Sequence, residues 1–160
     1  MHFIPTTNLK HGDERALLTY LGDLEEHFQE REPDVLAFVP EDSRFKRLRR
    51  EVRTLLAEYP DPAKRPELFG VPVGIKDIFH VDGFVTRAGS EVPAELLQGA
   101  EAESVRRLKA AGALIMGKTV TTEFAYFAPG ATRNPHNPAH TPGGSSSGSA
   151  SAVSSGQAMG

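Results

Sequence analysis

The sequence predicts an α/β fold, helical at first and mixed later. Three observations carry the prediction. Between Asp13 and Pro60, apolar side chains recur at helical spacing. Leu68–Phe79 (LFGVPVGIKDIF) is apolar, rich in β-branched residues and punctuated by Gly70, Pro72 and Gly74. A helical stretch, Glu101–Ala111, leads through Gly112 into a short apolar run, Ala113–Met116.

In chain order, Asp13 caps a helix starting at Glu14, whose stripe is Leu17, Leu18, Leu21, Leu24 and Phe28, and Pro33 is expected to end it. Asp34–Val39 is apolar enough for a short strand. A second helix starts near Asp42 or Ser43, buries Phe45, Leu48, Val52, Leu55, Leu56 and Tyr59, and stops at Pro60. The three prolines of Pro60–Pro66 make a loop. Leu68–Phe79 reads as a strand turning at Lys76. In the later helix Val105, Leu108 and Ala111 share a side, and Gly112 is its C-terminal cap. Phe124–Pro142, with four prolines, is a long loop, and loops of that length are functional or disordered. The organisation is thus an N-terminal helical segment, residues 1–67, and a second part, residues 68–160.

Composition excludes several classes. The chain has 160 residues and a formal net charge of −3, with 18 Lys and Arg against 21 Asp and Glu. That length suits one domain with a real core. That charge argues against a nucleic-acid or membrane-surface partner. Without cysteine there is no disulfide framework, thiol nucleophile or Cys-based zinc site. Met1–Arg15 has no long apolar run, and no stretch approaches the roughly 18 apolar residues of a membrane span. A soluble cytoplasmic protein without cofactor or metal is expected.

Gly112–Thr119 (GALIMGKT) fits the P-loop expression literally. A P-loop needs a strand, a phosphate-cradling loop and then a helix. Here a helix comes first, and Ala-Leu-Ile-Met demands burial, so a nucleotide-binding protein is the least favoured reading. Arg44, Lys46, Arg47, Arg49, Arg50 and Arg53 cluster on one helix, interrupted by apolar positions and Glu51, and read as a solvated face. His136 and His140 have the spacing of a helical metal pair, but Pro135 and Pro138 forbid the helix.

Lys76 and the Gly143–Ala150 segment (GGSSSGSA) carry the chemistry. Glycine and serine at this density read as a linker or as a close-packed site. The segment leads into Ala150–Val153, which favours a small-residue helix, and backbone N–H groups at a helix start suit an oxyanion. Serine there is a nucleophile or a relay if a base is near. With no His-based triad in evidence, lysine is the best base, and linker and Ser/Lys site both stay open.

Gly70–Asp77 (GVPVGIKD), Ala110–Thr119 (AAGALIMGKT), Thr122–Phe124 (TEF) and Asn134–Ala150 (NPHNPAHTPGGSSSGSA) together resemble the amidase signature family, in its order and spacing, over roughly Leu68–Gly160. The chain carries Ser147 where most members have glycine. The resemblance implies an α/β/α sandwich around a mixed sheet, of which this chain supplies the N-terminal part. It implies a Ser–cis-Ser–Lys triad hydrolysing amide C–N bonds through an acyl-enzyme. In it, Lys76 matches the base, Ser145 the bridging serine after a cis Gly144–Ser145 bond, and Ser146 the serine supporting the hydrogen-bond network. The family's nucleophile follows the Gly/Ser loop by about two dozen residues. Ser149, Ser151, Ser154 and Ser155 do not match it, so the chain is read as an N-terminal fragment inactive alone. The alternative is a non-catalytic scaffold or subunit of amidase ancestry.

A lysine base must be neutral, and an unperturbed lysine is neutral in only about one molecule in 2,500 at pH 7. Val71, Val73, Ile75, Ile78 and Phe79 are the apolar surroundings expected to favour the neutral form. The expected substrate is a small-molecule amide, and Thr119–Phe124 departs from the tRNA-dependent amidotransferase pattern, which favours a stand-alone amidase. Unsatisfied sheet edges predict oligomerisation or poor solubility of the isolated chain.

Overall fold

The computed structural model describes residues 6–159. Its elements are α1 (Thr6–His11), α2 (Glu14–Val35), α3 (Arg44–Glu58), β1 (Pro72–Lys76), α4 (Glu103–Ala110), β2 (Leu114–Thr119) and α5 (Ser147–Ser154). β1 and β2 pair in parallel, with α4 as the crossover. Two clusters of buried side chains flank the pair. Leu17, Leu21, Leu48, Phe69, Val71, Leu114, Met116 and Ala152 join α2, α3 and α5 on one face. Ile75, Val105 and Ile115 join α4 on the other. Helices on both faces of a sheet give the expected α/β/α layering, here around two strands.

Asp13 caps α2 as its residue type demands: Oδ1 accepts the Ala16 N–H at 2.8 Å. Asp13→Ala is expected to cost about 1 kcal/mol in a denaturant melt. Two expectations for the next stretch fail. Pro33 does not end α2, which runs on to Val35. A proline in the last turn removes only one late hydrogen bond, and the extra residues bury Val35 completely and let the Leu36 N–H cap Glu32 O. Asp34–Val39 is not a strand. Leu36 is left-handed at φ 51°, and the segment reaches the sheet only through an antiparallel bridge from Phe38 to Thr119. Pro40, which has no N–H to donate, follows at once.

The solvated basic face is corrected in part. Lys46, Arg50 and Arg53 are exposed, but Arg44 turns inward over the Phe28 and Phe38 rings and donates to Val39 O and Glu41. Arg47 pairs with Glu41 and Glu51 and donates to the main-chain oxygens of Ile115 and Met116. The extra residue in β2 between the Val73↔Ile115 and Gly74↔Gly117 pairs interrupts the strand ladder there. Arg47 thus holds the two carbonyls that flank the break.

β1 is shorter than the Leu68–Phe79 run, because Leu68–Val71 turns upon itself. β2 is longer than Ala113–Met116 and takes in Gly117, Lys118 and Thr119. That places the P-loop lysine inside a strand, 2% exposed, where no phosphate can reach it. No helix among the described residues is long and apolar enough to cross a membrane.

Candidate active site

The break in register decides what meets at the ends of the strands. Beyond it, Ile75 lies opposite Lys118 and Lys76 opposite Thr119. Register partners in a parallel pair share a face, and successive residues alternate. Ile75 belongs to the α4 face, so Lys76 and Thr119 address α5. Thr119 is fully buried there, its Oγ1 2.7 Å from Ser149 Oγ in the first turn of α5.

β1 ends where Phe79 N–H bonds Lys76 O, so the lysine stands at the lip of a turn. Its Nζ donates to Ser145 Oγ at 2.6 Å. Ser145 is held by its carbonyl, which accepts the Thr122 N–H at 3.0 Å and the Thr121 hydroxyl at 3.2 Å. The Gly144–Ser145 peptide is cis. A Cβ on Gly144 would lie 2.8 Å from Thr122 Cγ2, so glycine is what lets the loop approach this closely. Lysine and serine, 69 residues apart, are thus joined by the end of a strand and a loop docked on its neighbour.

Burial pushes the Lys76 amine below the ordinary lysine range, which favours the neutral form a base requires. The expected surroundings form only in part. Val71 and Ile75 are buried, whereas Ile78 and Phe79 are 37% and 41% exposed, because the turn after Lys76 carries them outward. Ile78 instead lines a cleft of about 470 Å³ with His80, Thr86, Leu96 and Phe124.

Ser146 precedes α5 and is exposed, and its hydroxyl has no hydrogen-bond partner among the described residues. The Gly148 N–H, near the start of the helix, is spent on Val120 O. The other serines are structural: Ser151 Oγ donates to Arg133 O, Ser155 Oγ to Ser151 O, and Ser154 Oγ lies 2.8 Å from His136 Nε2. His136 and His140 stand on the loop, and no group of three or more His, Asp or Glu that could hold a metal occurs among the described residues. Sequence reasoning missed the supports. Thr119 and Thr122 lie within the quoted motifs but carried no assigned role, Thr121 carried none either, and nothing local marked Asp77 and Lys118 as partners. Asp77 Oδ1 lies 2.7 Å from Lys118 Nζ, and both side chains are 2% exposed.

The α/β layer thus brings Lys76 against Ser145, the two residues that the resemblance singled out. The chain belongs to the amidase family, whose model, described as Amidase, matches residues 41–160. It is similar to a glutamyl-tRNA(Gln) amidotransferase subunit from Koribacter versatilis, 44% identical over 100 residues, 59% of this chain and 21% of that one. It is also similar to AtzE, the 1-carboxybiuret hydrolase subunit of Pseudomonas sp. (strain ADP), 43% identical over 99 residues, 58% of this chain and 22% of the other. Among solved structures, native peptide amidase from Stenotrophomonas maltophilia superposes with a TM-score of 0.73 at 31% identity, covering 92% of this chain and 32% of that one. The chain spans about a fifth of the length of these curated relatives and about a third of that solved structure.

Proposed function

We propose that this chain supplies the base and the proton relay of an amidase that cleaves a small-molecule amide by acyl transfer. The contact between Lys76 Nζ and Ser145 Oγ, in a chain of this family, is the observation that supports the reading. A serine hydroxyl with no match among these 160 residues attacks the amide carbonyl. Its proton passes to Ser145 Oγ while Ser145 gives its own to neutral Lys76. On collapse of the tetrahedral intermediate the C–N bond breaks, and the proton returns from Lys76 through Ser145 to the leaving nitrogen. Water then attacks the acyl-enzyme along the same path and releases the acid. Ser146, exposed next to Ser145, is assigned to support the hydrogen-bond network of the relay.

The test uses the complete protein that carries this chain, offered simple, peptide and urea-type amides. Amine release, with hydroxamate formed when hydroxylamine is added, is the expected result. A folded protein that does neither overturns the reading in favour of a scaffold. Two of the relatives are named as subunits, so the assay is repeated with any protein that co-purifies. The pH profile has a predicted sign. The neutral amine is the active form, so kcat/KM rises with pH along a limb lying below the ordinary lysine range, in line with the lowered Lys76.

A further inference from the structure

We propose that the buried Asp77–Lys118 pair is a positioning device for proton transfer: it fixes the end of β1 so that Lys76 meets Ser145, and it keeps the Asp77 carboxylate from holding Lys76 in its charged form. The inference rests on the reading of Lys76 as base.

Asp77 follows Lys76 directly but addresses the opposite face, where Lys118, the register partner of Ile75, receives it. Asp77 Oδ1 has no well-aligned hydrogen bond, although Lys118 Nζ stands 2.7 Å away, so the contact is an ion pair and Lys118 is the charge that answers the carboxylate. The pair also gathers the neighbouring loop. Asp77 Oδ2 accepts the Arg87 N–H, Asp77 O accepts the Ala88 N–H, and Lys118 Nζ donates to Thr86 Oγ1 at 2.9 Å. Ala88 O in turn accepts the Phe124 N–H. Phe124 is two residues from Thr122, whose N–H holds the Ser145 carbonyl. A bonded path therefore runs from the residue after the base to the residue bearing the relay.

Stability alone does not account for such a pair, since apolar replacements of buried ion pairs are often neutral or stabilising. Its place does. A buried carboxylate one residue from the base, left unanswered, would favour the ammonium. The other charged groups around the strands are paired or stand on loops. Arg44 and Arg47 of α3 are held by Glu41. Arg106 and Arg107 of α4 are held by Glu103, and Lys109 by Glu101. His80, Arg87 and Glu123 stand on the loops, and α5 brings no titratable group.

The experiment follows Lys76 in the complete protein by NMR of ¹³Cε-labelled lysine, assigned with Lys76→Arg, alongside the pH profile of kcat/KM. Lys118→Met is expected to move the Lys76 titration and the activity limb to higher pH, lowering the neutral fraction at least about threefold at a fixed pH on the limb. Asp77→Asn, which leaves a second cation unanswered, moves both to lower pH. The double variant returns them towards wild type. A purely structural pair would cost stability in each variant and leave the titration in place, and that result overturns the inference, as do shifts of the same sign in both single variants. If Lys118→Met does not fold, Asp77→Asn and the double variant decide by the same signs. If the wild type hydrolyses no amide, the acyl-transfer reading falls, and the titration still judges the coupling.

Discussion

Gly148→Ala is expected to unseat α5 and destabilise the complete protein by at least about 3 kcal/mol, at or beyond the upper end of ordinary overpacking. A Cβ at this position would lie 2.2 Å from Ala37 O, 2.3 Å from Val120 N and 2.8 Å from Val120 O. All three are backbone atoms, so no rotamer can relieve the clash. They are also bonded to one another: Val120 N–H donates to Ala37 O, and Gly148 N–H to Val120 O, each at 2.9 Å. Making room means breaking the junction of the segment after α2, the end of β2 and the start of α5. Ser145 lies three residues before the clash, so activity should fall with stability. Ser149→Ala is the control. It removes one hydroxyl contact with Thr119 and is expected to cost about 1 kcal/mol. Urea midpoints of the two variants, measured side by side, check the contrast, and an unshifted midpoint for Gly148→Ala would refute it.

The helices and the Lys76–Ser145 contact were legible in the sequence for different reasons. α2 and α3 announced themselves through apolar spacing and the Asp13 cap, which are local signals. Lys76 and Ser145 stood out only together with their surrounding motifs, because a lysine after a strand and a serine in a Gly/Ser run are each unremarkable alone. What stayed hidden depends on partners far along the chain. Arg44 and Arg47 look like surface cations by type, yet they are drawn inward by aromatic rings, Glu41 and two β2 carbonyls. Lys118 looks like part of a phosphate loop until β2 extends through it and Asp77 arrives from β1. Pro33 shows the opposite error, a strong local breaker overruled by the burial of Val35 two residues on.

Lys76→Ala is expected to lower kcat by about 100- to 10,000-fold, the range general bases contribute, with KM nearly unchanged. Ser145→Ala should lose activity by a similar factor. In the proposed reaction base and relay share one proton path through the 2.6 Å contact, so the double variant should be hardly worse than either single one. Additive losses would mean that the two residues act separately. Folding should move the other way. Burial lowers the Lys76 amine from its ordinary 10.5, so between the lowered midpoint and 10.5 the unfolded chain holds a proton that the native state has released. Wild-type stability therefore rises with pH across that window, and Lys76→Ala should flatten the slope without loss of Tm on its acid side. Lys76→Arg separates the base from a mere cation. A guanidinium keeps the positive charge but stays protonated at every working pH, so it cannot accept the Ser145 proton. If Lys76→Arg is as inactive as Lys76→Ala, proton acceptance is the role. If it keeps most of its rate, Lys76 is an electrostatic anchor, and the base would have to be sought elsewhere.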